Sequence, residues 1–255
     1  KPLHAGHAAR NAVTAALLGG HGLSANPAAL EGRGGFFSTF ARGIPWNAAP
    51  FDDLGRKFDL AEAGFKPKRY PCGGVIHSGI DAALQIREEL GDRVSDISEI
   101  KAGISKYAAS RASTQYPDNM EAAKFNLQYV VAYSLVHGVP KLDSFEPKAL
   151  KDERVKALAR MVAVSIESEF ADAIEDYPTR LTVTLKDGKT VERVVTYASG
   201  SAQNPMSAEQ MREKFFDCVA HAGIKKPVAD RIIATLGRLG EKPSLGEFWP
   251  LLRRG

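Results

Sequence analysis

The sequence predicts an α+β protein in which helical flanks, residues 1–66 and 204–255, surround a mixed segment, residues 67–203, that carries a small and mainly antiparallel sheet. Three observations predict it. First, RLTVTLKDGKTVERVVTY (Arg180 to Tyr197) alternates apolar residues on both sides of Asp187-Gly188, the pattern of a β-hairpin. Second, Ile100, Ala102 and Ile104 alternate, as do Val162, Val164 and Ile166, which adds two half-buried strands. Third, the flanks carry helix-start signals: Ser207 with Gln210 and Ser244 with Glu247 form capping boxes, and Pro227 fits a first helical turn. A mixed unit inserted between two helical pieces lets the flanks pack together as one domain.

Taken in order, HAARNAVTAALL (His7 to Leu18) is rich in strong helix formers and stops at Gly19-Gly20. His4, His7, Asn11 and Thr14 fall on one polar stripe of that helix, the usual wet face. Gly32, Gly34 and Gly35 break the chain before Phe36, Phe37 and Phe40, which are expected in the core. A basic segment, Lys66, Lys68 and Arg69, leads into a Pro-Cys-Gly-Gly loop (Pro71 to Gly74) and then a helix over residues 78–90. Ser78 is its expected N-cap, with Asp81 at the third position. Ile80, Ala83, Leu84, Arg87 and Leu90 form its stripe, the Arg87 stem covering apolar surface. Tyr107 is placed at the end of the first strand, entering a polar loop that runs to Pro117. Asp118 with Glu121 caps a second helix bearing Ala122, Phe125, Tyr129, Tyr133 and Val136, which Gly138 and Pro140 end. Val228, Ile232, Leu236 and Leu239 stripe the helix that Pro227 opens.

The totals exclude several classes. Of 255 residues, 44% are hydrophobic and 25% charged, ordinary values for a globular protein. A net charge of +4, with acids and bases interspersed, suits small anions as well as nucleic acid. No nucleic-acid recognition motif occurs, and no basic cluster is interleaved with stacking aromatics, so no nucleic-acid partner is expected. Two distant cysteines, Cys72 and Cys218, give neither a disulfide framework nor a metal-binding CxxC pair. That usage and the lack of a signal peptide or bilayer-length apolar run point to a cytoplasmic protein with no membrane partner.

The chemistry concentrates at residues 66–78. Three cations, a glycine-bearing loop, a helix start and a titratable imidazole, His77, converge within a few residues, as a site for a small carboxylate requires. The same pattern also fits a solvated basic face followed by a polar loop histidine. Cys72 has no thiolate-activating partner in sequence, and the scattered histidines form no zinc pattern, so neither covalent catalysis nor a metal is expected.

Six stretches in order resemble the MmgE/PrpD family: KPLHAGHAARNAV at Lys1, LEGRGGFF at Leu30, KRYPCGGVIHSGIDAAL at Lys68, EAAKFNLQYVVAYSLVHG at Glu121, VTLKDG at Val183 and NPMSAEQMREKF at Asn204. The family includes 2-methylcitrate dehydratases, cis-aconitate decarboxylases and iminodisuccinate epimerases. The resemblance implies an all-helical domain with an inserted α+β lid, residues 67–203 here. It also implies that this chain is the C-terminal portion of a longer enzyme, expected as a homodimer and needing an upstream helical segment. It implies a cofactor-free lyase or isomerase acting on a small di- or tricarboxylate by proton transfer next to a carboxylate. His77, Tyr107 and Lys68 match catalytic positions; Lys1, Arg69 and His4 are assigned to substrate binding. Relatives often carry His or Arg where this chain has Gly73 and Gly74, which places decarboxylation behind dehydration and epimerisation. The alternative is a non-catalytic remnant or partner subunit that needs a complementary helical chain.

Overall fold

The computed structural model describes residues 2–41, 43–45, 47, 49–58, 61, 65–112, 115–241, 246 and 248–252. The chain divides into two units, Lys1–Ala63 and Gly64–Gly255. In the first, helix α1 spans Pro2–Gly20; its Ala- and Leu-rich middle favours helix, and the helix runs on through Gly19-Gly20, the expected stop. A short helix, α2, covers Phe36–Phe40. The phenylalanines expected in the core instead cluster with each other: the Phe36 ring lies 5.5 Å from Phe37 and 5.0 Å from Phe40. Phe36 and Phe40 remain exposed. A helix of five residues presents too narrow a face to bury three rings on its own.

The second unit is built on a four-stranded sheet of order β2-β1-β3-β4. Strand β1 is Ile97–Ile104, β2 is Val162–Ile166, β3 is Thr179–Leu185 and β4 is Thr190–Val195. β1 pairs antiparallel with β3, and β3 with β4, but β2 joins β1 in parallel, with Ile100 opposite Val162. The sheet is therefore mixed. Parallel pairing demands a long crossover, and residues 105–161 supply it. The hairpin turns at Asp187-Gly188, where Gly188 takes φ +85°. β4 ends at Val195, so Tyr197, expected in the return strand, lies beyond it and is exposed. β3 alternates strictly, with Thr179, Leu181, Val183 and Leu185 facing in. Its other face is polar and carries Arg180, which pairs with Glu167, Glu169 and Glu192.

Helix α3 (His77–Leu90) packs on β3 and β4. It differs from the expected helix in two ways. Its N-cap is Ile76, without a side-chain cap, so Ser78 and Asp81 sit inside the first turns and form no capping box. Its first half, His77 to Ala83, is also buried on all sides, because Gly79 and the alanines admit a second helix at close range, whereas Gln85, Glu88 and Glu89 further along are exposed. Short helices α4 (Lys106–Arg111) and α5 (Met120–Ala123) follow, then α6 (Leu127–His137), the helix that lies against α3. Tyr107 thus sits in a helical turn capped by Ser105, not in a loop: the Ser105 hydroxyl accepts from Ala108 N. The single helix expected from Asp118 is two, capped by Asn119 and Asn126, whose side chains compete with the backbone and break it. Arg87 on α3 donates to the Leu135 and Val136 carbonyls at 2.5 and 2.8 Å, using its charge as well as its stem.

After α7 (Glu153–Arg160) and the strands, the unit closes with α8 (Ala208–His221), α9 (Lys226–Leu236) and α10 (Trp249–Leu252). The Ser207–Gln210 capping box is present. The box expected at Ser244 and Glu247 lies outside the described residues. In α9 the buried residues are Ala229 and Ile232, whereas Leu236 is exposed, as is Leu239, which lies beyond the end of the helix.

Candidate active site

The segment before α3 and two loops from distant sequence form the walls of a cleft of about 160 Å³. Lys66, Pro67, Lys68, Gly74 and His77 line it from the first of these stretches; Asp176, Tyr177 and Ala198 to Ser201 line it from the other two. Gly200 brings the second wall close. It adopts φ +96°, and a Cβ there would lie 2.2 Å from the Pro67 carbonyl oxygen, so only glycine fits.

His77 is buried at the first position of α3, and its Nε2 has no partner among the described residues. Burial lowers its pKa to about 4, with the Lys68 charge acting in the same direction and the Cys72 and Tyr70 backbone opposing. At neutral pH His77 is therefore an uncharged, buried imidazole in the lining of the cleft. Lys68 reaches the Cys72 carbonyl at 2.9 Å, which points its ammonium group along the loop before the helix. Cys72 itself is buried, and its thiol is pushed up to about 12 by that burial, so it offers no thiolate.

A buried carboxylate ties the walls together. Asp81 accepts from Tyr70 Oη at 2.5 Å and from Ser199 N at 2.7 Å. Arg69 donates to Ser199 Oγ at 3.1 Å and stands 4.0 Å from Asp81. The Tyr70 ring meets His77 edge-on at 5.2 Å, so the same contacts fix the imidazole. Burial, and then the Asp81 charge, raise the Tyr70 pKa and keep the phenol a donor.

The other wall is strained. Asp176 and Tyr177 have φ of +58° and +46°, conformations that cost roughly 1–3 kcal/mol each in residues other than glycine. Tyr177 N donates to Glu175 O at 2.7 Å, Ser78 Oγ to Asp176 O at 3.4 Å, and Lys66 pairs with Asp176 at 3.2 Å. The Tyr177 ring stacks on Tyr107 at 5.6 Å and 13°.

Of the residues singled out from sequence, Lys68 and His77 share the cleft, and Arg69 braces it from behind. Tyr107 is not among the lining residues; it stands behind Tyr177. His4 is exposed on α1, in the first unit. Lys1 lies outside the described residues. Among the described residues, no three His, Cys, Asp or Glu side chains converge to hold a metal ion.

Sequence reasoning missed Asp176, Tyr177 and the Ser199–Ser201 loop. One signal was present: an acidic-aromatic-proline run, Asp176-Tyr177-Pro178, directly before a strand. Asp81 was legible as a polar residue but read as a cap.

Residues 70–236 match the MmgE/PrpD C-terminal domain. The chain belongs to the MmgE/PrpD family. Two similar MmgE/PrpD relatives are the cis-aconitate decarboxylases of Mus musculus, 27% identical over 225 residues, and of Homo sapiens, 27% identical over 222. Both matches cover 84% of this chain, and 44% and 45% of the respective relative. A cis-aconitate decarboxylase-like protein oryM of Aspergillus oryzae (strain ATCC 42149 / RIB 40) is 27% identical over 222 residues, 82% of this chain and 45% of its own. The chain thus spans less than half the length of the curated relatives it matches.

Gly73 and Gly74 now separate in meaning. A Cβ on Gly73 would meet Phe125 at 2.9 Å and the Lys124 carbonyl at 3.2 Å. A Cβ on Gly74, which lines the cleft, would meet nothing within 4 Å. The cleft therefore has room for a side chain at residue 74.

Proposed function

We propose that this chain supplies the lid side of a cofactor-free MmgE/PrpD-type lyase or isomerase acting on a small di- or tricarboxylate. Residues 67–203 are the lid in this reading, and residues 1–66 and 204–255 belong to the helical body. One observation carries it: His77, a buried imidazole whose Nε2 has no hydrogen-bond partner among the described residues, lines the same cleft as Lys68.

The chemistry follows from those two groups. Lys68 attracts a substrate carboxylate and stabilises the charge that builds on it when the neighbouring carbon loses a proton. His77 Nε2, a free base at neutral pH, takes that proton and returns it after the bond rearrangement. Dehydration and epimerisation use the pair in this way, the proton going to the departing hydroxide or back to carbon; decarboxylation with allylic shift removes no carbon proton, so there the imidazole first takes a proton from solvent and delivers it to carbon as CO2 leaves. The decarboxylase relatives move decarboxylation ahead of the order that the glycine loop implied, and make cis-aconitate the first substrate to try.

The test is turnover by the full-length protein with cis-aconitate, citrate-like and aminodicarboxylate-like acids, followed by proton NMR. His77→Ala is expected to lower kcat/KM by roughly 10²- to 10⁴-fold. Near-normal kcat/KM in that variant rejects the assigned role.

A second reading, a subunit that binds a complementary helical chain without catalysing, is supported by exposed Leu3, Val13, Leu17 and Phe40 in the first unit. Size-exclusion of the 255-residue chain discriminates: a clean monomer argues against an obligate partner.

A further inference from the structure

We propose that Tyr177, rather than Tyr107, presents its hydroxyl to the substrate, as a hydrogen-bond donor to a carboxylate oxygen, and that Tyr107 and Arg111 form the platform that aims it. The inference rests on the polycarboxylate reading of the cleft given above and extends it to the opposite wall.

Four observations carry it. Tyr177 lines the cleft with His77 and Lys68, whereas Tyr107 does not. The Tyr177 ring is held on one face by Tyr107, at 5.6 Å and 13°, and the Arg111 guanidinium lies 5.3 Å from the Tyr107 ring in turn. Such a stack fixes a ring plane without using either hydroxyl. The backbone that delivers Tyr177 is left-handed at two successive residues and is held there by the Glu175 carbonyl, the Ser78 hydroxyl and Lys66. Strain maintained by several independent contacts beside a cleft marks a side chain whose direction is constrained.

The fourth observation concerns the hydroxyls. Tyr70, Tyr116 and Tyr129 all direct theirs into the fold, to Asp81, to Leu150 O and to Ser144 O. The Tyr177 hydroxyl has no such partner among the described residues, so a ligand can take its proton-donor bond. A phenol and a lysine in one cleft give it two unlike carboxylate contacts, a hydroxyl and an ammonium group. That asymmetry suits an acid with more than one carboxylate.

The experiment uses the full-length protein with cis-aconitate as probe and compares wild type, Tyr177→Phe and Lys68→Met by calorimetric binding, turnover and thermal unfolding. Tyr177→Phe keeps the ring and its stack, so Tm should hold while affinity and kcat/KM fall roughly tenfold or more, the effect of losing a hydrogen bond to a charged group. Wild-type affinity and turnover in Tyr177→Phe, with Lys68→Met impaired, overturn the tyrosine assignment and leave the cleft reading standing. If wild type does not bind the probe, or Lys68→Met binds it normally, the cleft reading fails and this inference falls with it.

Discussion

Replacing His77 by Gln removes one titrating group and nothing else that ionises, which makes the pH dependence of stability a direct measure of how the imidazole is held. The folded pKa is about 4, against an ordinary value of 6.5. The neutral form is the one the fold accepts, because burial and the nearby Lys68 and Lys214 charges all oppose a second positive charge there. Above pH 6.5 both states carry neutral histidine and the group contributes no pH dependence. As pH falls below 6.5 the unfolded chain takes up the proton first, so stability is lost progressively down to about pH 4. Linkage between those two values makes wild type less stable by about 2 kcal/mol at pH 5 and about 3 kcal/mol at pH 4, relative to neutral pH. His77→Gln should lack this component. Urea unfolding of both proteins from pH 4 to pH 8 gives the two curves, and subtracting them cancels other carboxylates and any constant cost of the substitution. Parallel curves, or an imidazole that titrates near 6.5 by NMR in the folded protein, would refute the buried neutral base.

Further outcomes are open to measurement. The acid limb of kcat/KM should fall near pH 4 to 5 rather than at 6.5, provided His77 is the base in the free enzyme. Lys68→Met should raise the His77 pKa, since the lysine charge lowers it, and an NMR titration of the imidazole reads this without any turnover. Asp81→Asn weakens the acceptor for Tyr70 and Ser199 and should cost about 1.5–3 kcal/mol in urea unfolding. Gly200→Ala meets both a left-handed backbone and the Pro67 carbonyl, and should destabilise by at least about 1 kcal/mol while weakening substrate binding through Lys68. Gly74→Ser, by contrast, should leave Tm within about 1 °C of wild type, because its Cβ enters open space.

The parts of the fold that were legible in the sequence are those set by local periodicity. The hairpin around Asp187-Gly188, the alternation in β1 and β2, and the Ser207 capping box depend on neighbours a few residues apart. The parallel pairing of β2 with β1 depends on residues 62 positions apart, Ile100 with Val162, and no local pattern announces it. Caps failed for a related reason. Ser78 and Asp81 have the spacing of a capping box, but Asp81 finds stronger partners in Tyr70 and Ser199, the latter 118 residues away. In the site, Lys68 and His77 were readable because they lie on one short stretch leading into a helix. Tyr177 was not, because what brings it to the cleft is an unusual backbone turn at residues 176–177 and a ring partner, Tyr107, 70 residues earlier.

The first two turns of helix α3 are enclosed on every side, with the sheet beneath the helix and α6 alongside. A rod clamped in this way cannot swivel or slide to admit a ligand without unpacking the middle of the unit. The imidazole at its first position is held with it, so where His77 stands is decided by the core of the unit and not by the loops around the cleft.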